Sequence, residues 1–145
     1  MKVIMLSGPS SSGKTTTLND LYDALAEPDG KNIIRPKTPL GNNPKDFECV
    51  LAHEGKKVAL FSMGDIVREV FHAMSFYEGM GCDVLVCVCN DRFTTPKYRL
   101  SRYPGSPQPV PKSTADISDA EDKRLKNEKD VKEIISRIQT IIKPS

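Results

Sequence analysis

Eight residues, Gly8-Pro9-Ser10-Ser11-Ser12-Gly13-Lys14-Thr15, carry the densest chemistry in this sequence. Two glycines bracket four small residues, and a lysine and a threonine follow at once. Glycine lets a chain turn tightly and bring its amide N–H groups close to an anion. Lysine adds positive charge, and a threonine hydroxyl suits a hard divalent cation. The segment satisfies G-x-x-x-x-G-K-[ST] at every fixed position, a pattern whose chemistry is the cradling of a phosphate chain. Lys14 would lie against β- and γ-phosphates, Thr15 would offer its hydroxyl to Mg²⁺, and Thr16 would reach the α-phosphate. The alternative is a serine-rich loop that merely caps a helix.

Such a loop works only between a buried strand and a helix N-terminus. Val3 to Leu6 is an apolar run suited to a strand covered on both faces, and Leu18, Leu21, Tyr22 and Leu25 then fall at helical spacing until Pro28 and Gly30. Residues 31–46, with three prolines, read as an irregular connection. "FECVLAH" and "KVALFSM" around Gly55 predict an antiparallel hairpin over residues 47–63. A helix follows with Ile66, Val67, Val70, Phe71, Met74 and Tyr77 on one face, then a second buried strand, "DVLVCVC". Five prolines punctuate the next stretch, in which "PQPVP" could form a short edge strand. Ser118 with Glu121 fits a capping box for a last helix striped by Val131, Ile134, Ile135, Ile138, Ile141 and Ile142. Its charged first half, Asp119 to Asp130, reads as solvated. The expectation is one α/β domain over residues 1–145, with a mostly parallel sheet of four or five strands and the hairpin at one edge.

"GPSSSGKTT" in this setting resembles the P-loop nucleoside triphosphatase superfamily, and especially its small-molecule kinase branch. The likeness is specific over Val3 to Leu18 and general beyond. It implies a three-layer α/β fold, ATP or another nucleoside triphosphate with Mg²⁺, and phosphoryl transfer or hydrolysis. The superfamily's second signature is an acid after an apolar strand. Asp65, after "KVALFSMG", is the first candidate, serving the metal with Thr15 and catalysis with Lys14. Asp65 is equally placed to cap the helix at Ile66, and Asp91, beyond "DVLVCVCN", competes with it. In such kinases arginines after that strand close over the nucleotide, so Arg92 or Arg99 is expected to reach it, against the alternative of a solvated basic loop holding both with Lys97 and Arg102.

Departures from the superfamily's patterns narrow the ligand. Asn127-Glu128-Lys129-Asp130 misorders the guanine-reading N-K-x-D and falls in a helix, which favours ATP over GTP. Ser62-Met63-Gly64-Asp65 lacks the first Asp of a D-x-x-G switch. No acceptor domain is inserted before the hairpin, so a small anionic acceptor would have to meet Arg35, Lys37 and Lys45, which otherwise read as surface charge.

Composition bounds the rest. Lys and Arg number 21 against 19 Asp and Glu, a net +2 that disfavours general nucleic-acid binding. Cys87 and Cys89 share a strand face and cannot bridge each other, so the cysteines read as buried thiols, ahead of a metal site. The first apolar run is too short for a signal core and none approaches a membrane span, which implies a cytoplasmic location. Two functions remain: a small ATP-dependent phosphotransferase, or a nucleotide-sensing module with slow or no turnover.

Overall fold

The computed structural model describes residues 1–143. Among them the chain order is β1 (Lys2–Gly8), α1 (Lys14–Leu25), β2 (Ile33–Pro39), β3 (Phe47–His53), β4 (Lys56–Phe61), α2 (Val67–Gly79), β5 (Val84–Asn90), α3 (Thr95–Arg99) with a 3₁₀ turn over Leu100–Arg102, β6 (Val110–Pro111) and α4 (Ala120–Ile142). The strands form one sheet in the order β2-β3-β4-β5-β1-β6. Parallel pairing joins β1 to β5 and β6, and β4 to β5, while β2–β3 and β3–β4 are antiparallel.

The apolar runs of β1 and β5 send alternate side chains to opposite faces. Ile4, Leu6, Val84 and Val86 pack with Leu18 and Leu21 of α1 and Ile134 and Ile138 of α4. Val3, Met5, Leu85 and Cys87 pack instead with Val70, Met74 and Tyr77 of α2. Helices therefore cover both faces, and each fully buried aliphatic side chain contributes roughly 1.5–3 kcal/mol of hydrophobic stabilisation. All four cysteines are free and buried. Burial pushes the Cys49 thiol up to about 12 and that of Cys89 to about 11, so neither is a thiolate at neutral pH.

Six strands replace the four or five expected, because residues 31–46 contain β2. Its prolines, Pro36 and Pro39, cannot donate to a ladder, but β2 is an edge strand with a partner on one side only. Its register against β3 is broken twice, on either side of Arg35. The hairpin forms where expected, turning at Glu54 and Gly55 with φ of 50° and 80°. It is not the sheet edge, however, since β2 pairs on the outer side of β3 and takes that edge itself. "PQPVP" does supply the opposite edge as β6, with Pro111 facing Ser7.

Two helix starts also differ from expectation. Ile66 rather than Asp65 is the N-cap of α2, with no side-chain bond. At α4 the cap is Asp119, whose Oδ1 accepts from the amides of Glu121 at 3.0 Å and Asp122 at 3.1 Å. Ser118 instead donates its hydroxyl to Asp116 Oδ1 at 2.7 Å. Asp119→Ala should accordingly cost about 1 kcal/mol, and Ser118→Ala less than half of that. Urea midpoints of the two variants check this, and equal losses would restore Ser118 as the cap.

No helix among the described residues is long and apolar enough to cross a membrane.

Candidate functional site

The glycine loop joins β1 to α1, and its glycines are required by what packs behind them. A Cβ on Gly8 would stand 2.8 Å from Cβ of Lys112. Gly13 has φ of 95°, and a Cβ there would meet Asn127 Oδ1 at 3.1 Å. No side chain caps α1, so its first-turn amides keep their capacity to bind an anion. Ser12 Oγ is buried with no hydrogen-bond partner among the described residues.

Lys14 is buried, and its Nζ donates to the carbonyls of Gly8 at 3.0 Å and Pro9 at 2.6 Å. Burial lowers its pKa, opposed by the carboxylates of Asp65 and then Asp91 and reinforced by the charge of Lys112. An ammonium held this way lacks full solvation and gains strongly from an arriving anion.

Three aspartates approach the loop. Exposed Asp65 lies beside Asn90, whose Nδ2 donates to Ser10 Oγ at 2.8 Å and weakly to Asp65 Oδ1 at 3.4 Å. Gly64 makes that placement possible, because a Cβ on it would sit 2.5 Å from the carbonyl oxygen of Val88. Asp91 donates its amide to Gly8 O. The third, Asp46, stands just before β3, and its Oδ1 accepts from Thr15 Oγ1 at 3.0 Å and Ser62 Oγ at 3.1 Å. Sequence reasoning passed over Asp46, since no motif marks a lone aspartate at the end of a proline-rich connection.

The loop from Pro9 to Thr16 lines, with Asp46 and Asp65, a cleft of about 920 Å³ whose second wall is the segment after β6 and the first turns of α4, whereas Asn90 and Asp91 lie outside its lining. Lys112 Nζ lies 2.8 Å from Asp130 Oδ2, with side chains only 1% and 4% exposed. Ser113 donates to the same carboxylate through its amide at 3.0 Å and its hydroxyl at 2.6 Å. Asn127 Oδ1 accepts from Thr17 Oγ1 at 3.2 Å. The charged first half of α4 is thus not wholly solvated, for Asn127 and Asp130 are buried against the loop and β6.

The basic residues after β5 lie elsewhere. Arg92 is exposed on the turn and does not line the cleft, although its amide donates to Asn90 Oδ1 at 3.0 Å. Arg99 stacks over the Phe71 ring, 3.9 Å from its centroid. Arg35 pairs with Glu48 at 3.7 Å, and Lys37 bonds Asn19 Oδ1 at 2.6 Å. Of Arg35, Lys37 and Lys45, only Lys45 lines the cleft, which also carries Lys123 and Arg124.

The residues present suit a phosphate chain with Mg²⁺. They offer an orphaned serine hydroxyl, uncapped amides, a desolvated ammonium, and oxygen donors of the kind Mg²⁺ prefers. No group of three or more His, Cys, Asp or Glu that could hold a metal occurs among the described residues. A cation here would draw on hydroxyls, one or two carboxylates and the ligand's own phosphates. Compared with family models, curated proteins and solved structures, the chain gives no match.

Proposed function

We propose that this cleft binds a nucleoside triphosphate with Mg²⁺, ATP in preference to GTP, and that the protein is a small ATP-dependent phosphotransferase of the P-loop kind. The observation that carries the reading is the glycine loop itself. It bends from a buried strand into an uncapped helix, with a hydroxyl and an ammonium waiting for an anion. Backbone N–H groups of the segment from Gly8 to Thr16, Pro9 having none, hold the phosphates, and Lys14 leaves the carbonyls of Gly8 and Pro9 for the terminal oxygens. Mg²⁺, when bound, neutralises charge that develops on those oxygens. Thr15 and a carboxylate hold the cation, Asp65 being the one that the sequence pattern nominates. Asn90 ties Ser10 to Asp65 and so positions the loop relative to that acid.

A second reading, a nucleotide-sensing module with slow or no turnover, is favoured by one observation. Arg92 lies outside the cleft lining and Arg99 is engaged with Phe71, which leaves the expected lid cations away from a transferring phosphoryl group. Calorimetric titration with ATP and GTP, each with and without Mg²⁺, tests the common core of both readings. Micromolar, Mg²⁺-dependent ATP binding is expected, and failure of either nucleotide to bind would overturn both. A screen of small anionic acceptors then separates them, since only a phosphotransferase consumes ATP faster when its acceptor is added.

A further inference from the structure

We infer that Asp46, and not Asp65, is the carboxylate that serves the divalent cation in this cleft, with Ser62 as its positioning residue; the inference rests on the nucleotide reading above. The loop hydroxyl that would bind the cation is Thr15 Oγ1, and its proton is already committed to Asp46 Oδ1 at 3.0 Å. With its proton used in that bond, the hydroxyl keeps its lone pairs for a cation. Asp65 makes its contact with Asn90 and acts electrostatically on Lys14, which places it with the lysine.

The end of β4 explains how the acid comes to stand on another strand. The residue directly after β4 is Ser62, which is 1% exposed. Its hydroxyl accepts from the amide of Phe47 at 2.9 Å and donates to Asp46 Oδ1 at 3.1 Å. The backbones of residues 47 and 62 are also joined, Ser62 N donating to Phe47 O at 3.0 Å. A strand end that lacks an acid therefore grips the carboxylate that leads the neighbouring strand.

Helix α1 fixes the same segment from the other side. Asn19 Nδ2 donates to Thr15 O at 3.0 Å and to Lys45 O at 3.1 Å. Asp46 closes a turn of its own, its amide donating to Asn43 O at 3.1 Å and its carbonyl accepting from Leu40 N at 3.0 Å. Both side-chain bonds of Asp46 fall on Oδ1, so Oδ2 remains for the cleft that it lines. One anchored carboxylate, a threonine hydroxyl and phosphate oxygens make a donor set typical of Mg²⁺.

The test compares the wild-type chain with Asp46→Asn, Asp65→Asn and Ser62→Ala. ATP affinity is read by calorimetry with and without Mg²⁺, and Mn²⁺ bound in the presence of ATP is read by electron paramagnetic resonance. Asp46→Asn should keep Mg²⁺-free ATP binding and lose about 10-fold or more of the gain that Mg²⁺ confers. Asp65→Asn should keep that gain, and Ser62→Ala should lose a smaller part of it. An Asp46→Asn variant with the full Mg²⁺ gain would overturn the inference alone and leave Asp46 a structural tie between α1 and the hairpin. Loss of the gain in Asp65→Asn only would return the role to Asp65. A wild-type chain that binds no ATP overturns the nucleotide reading and this inference together. Should Asp46→Asn fail to fold by thermal unfolding, Asp46→Ser removes the carboxylate while keeping a small polar side chain, and an undiminished Mg²⁺ gain in that variant counts against the inference.

Discussion

Lys14→Met should weaken nucleotide binding by about 10- to 100-fold and at the same time make the ligand-free protein more stable. Both effects come from the same desolvation. The ammonium is buried and donates only to the carbonyls of Gly8 and Pro9, which do not replace the water it has lost. Its pKa is therefore lowered from 10.5, burial outweighing the help of Asp65 and Asp91. The unfolded chain binds this proton more tightly than the folded one. The cost is thus fully present below the folded pKa and fades as pH rises toward the unfolded value. Methionine fills the space without a charge, so the gain in stability should be largest at neutral pH, shrinking in alkaline solution, and raise the melting temperature by about 2–4 °C per kcal/mol recovered. A phosphate ligand reverses the balance, since charge-assisted hydrogen bonds contribute roughly 1.5–3 kcal/mol each. Affinity for ATP with Mg²⁺ should fall by about 10- to 100-fold. Thermal unfolding with and without ATP and Mg²⁺, at neutral and at alkaline pH, reads both effects. A variant that keeps the wild-type nucleotide shift would remove Lys14 from phosphate binding, and one less stable without ligand would contradict the desolvation argument.

The second large effect lies behind the loop. Lys112→Met should destabilise the protein by about 3–5 kcal/mol, because it leaves the Asp130 carboxylate buried without its cation. Ser113 would still donate twice to that carboxylate, but two neutral donors do not replace an ammonium at 2.8 Å. Against a typical total of about 5–15 kcal/mol, the single variant approaches unfolding. Adding Asp130→Asn should recover most of the loss, since asparagine keeps an acceptor for Ser113 and carries no charge. Urea unfolding measures both, an unchanged slope showing that the denatured state is the same. A double variant no more stable than the single one would mean that the carboxylate's bonds to Ser113, and not the ion pair, hold β6 to α4.

The parts of the fold legible in the sequence are those set by local pattern. The runs of β1 and β5 are apolar without alternation, and the glycine loop between β1 and α1 satisfies its motif, so the element order around the loop follows from residues 3–25 and 84–90. β2 was hidden by Pro36 and Pro39, whose missing donors matter only if a strand has two neighbours, and edge position is a tertiary fact. The site's other wall was hidden for a related reason. Asn127 and Asp130 look like members of a charged, solvated face until Lys112 and Thr17 are brought to them by the packing of α4 on α1. Asp46 shows the same limit at its sharpest. Nothing within five residues of it distinguishes it from Asp29 or Asp83, and its meaning appears only when Thr15 and Ser62 arrive from elements on either side. Arg92 and Arg99 illustrate the converse, since a basic stretch in the expected place is turned by its local contacts away from the cleft lining.

The bond between Thr17 and Asn127 spans 110 positions of chain, and the Lys112 side chain that seats Gly8 and Gly13 also arrives late. During synthesis the glycine loop therefore emerges long before the residues that give it shape. Until β6 reaches the sheet edge and α4 settles on α1, Gly8 and Gly13 have open space behind them and the loop is a pliable serine-rich tether. Closure of so long a loop is entropically slow to reward. The shape of the glycine loop is therefore complete only once residues 112–127 are in place behind it, and any ligand that grips the finished loop also stabilises those long-range contacts.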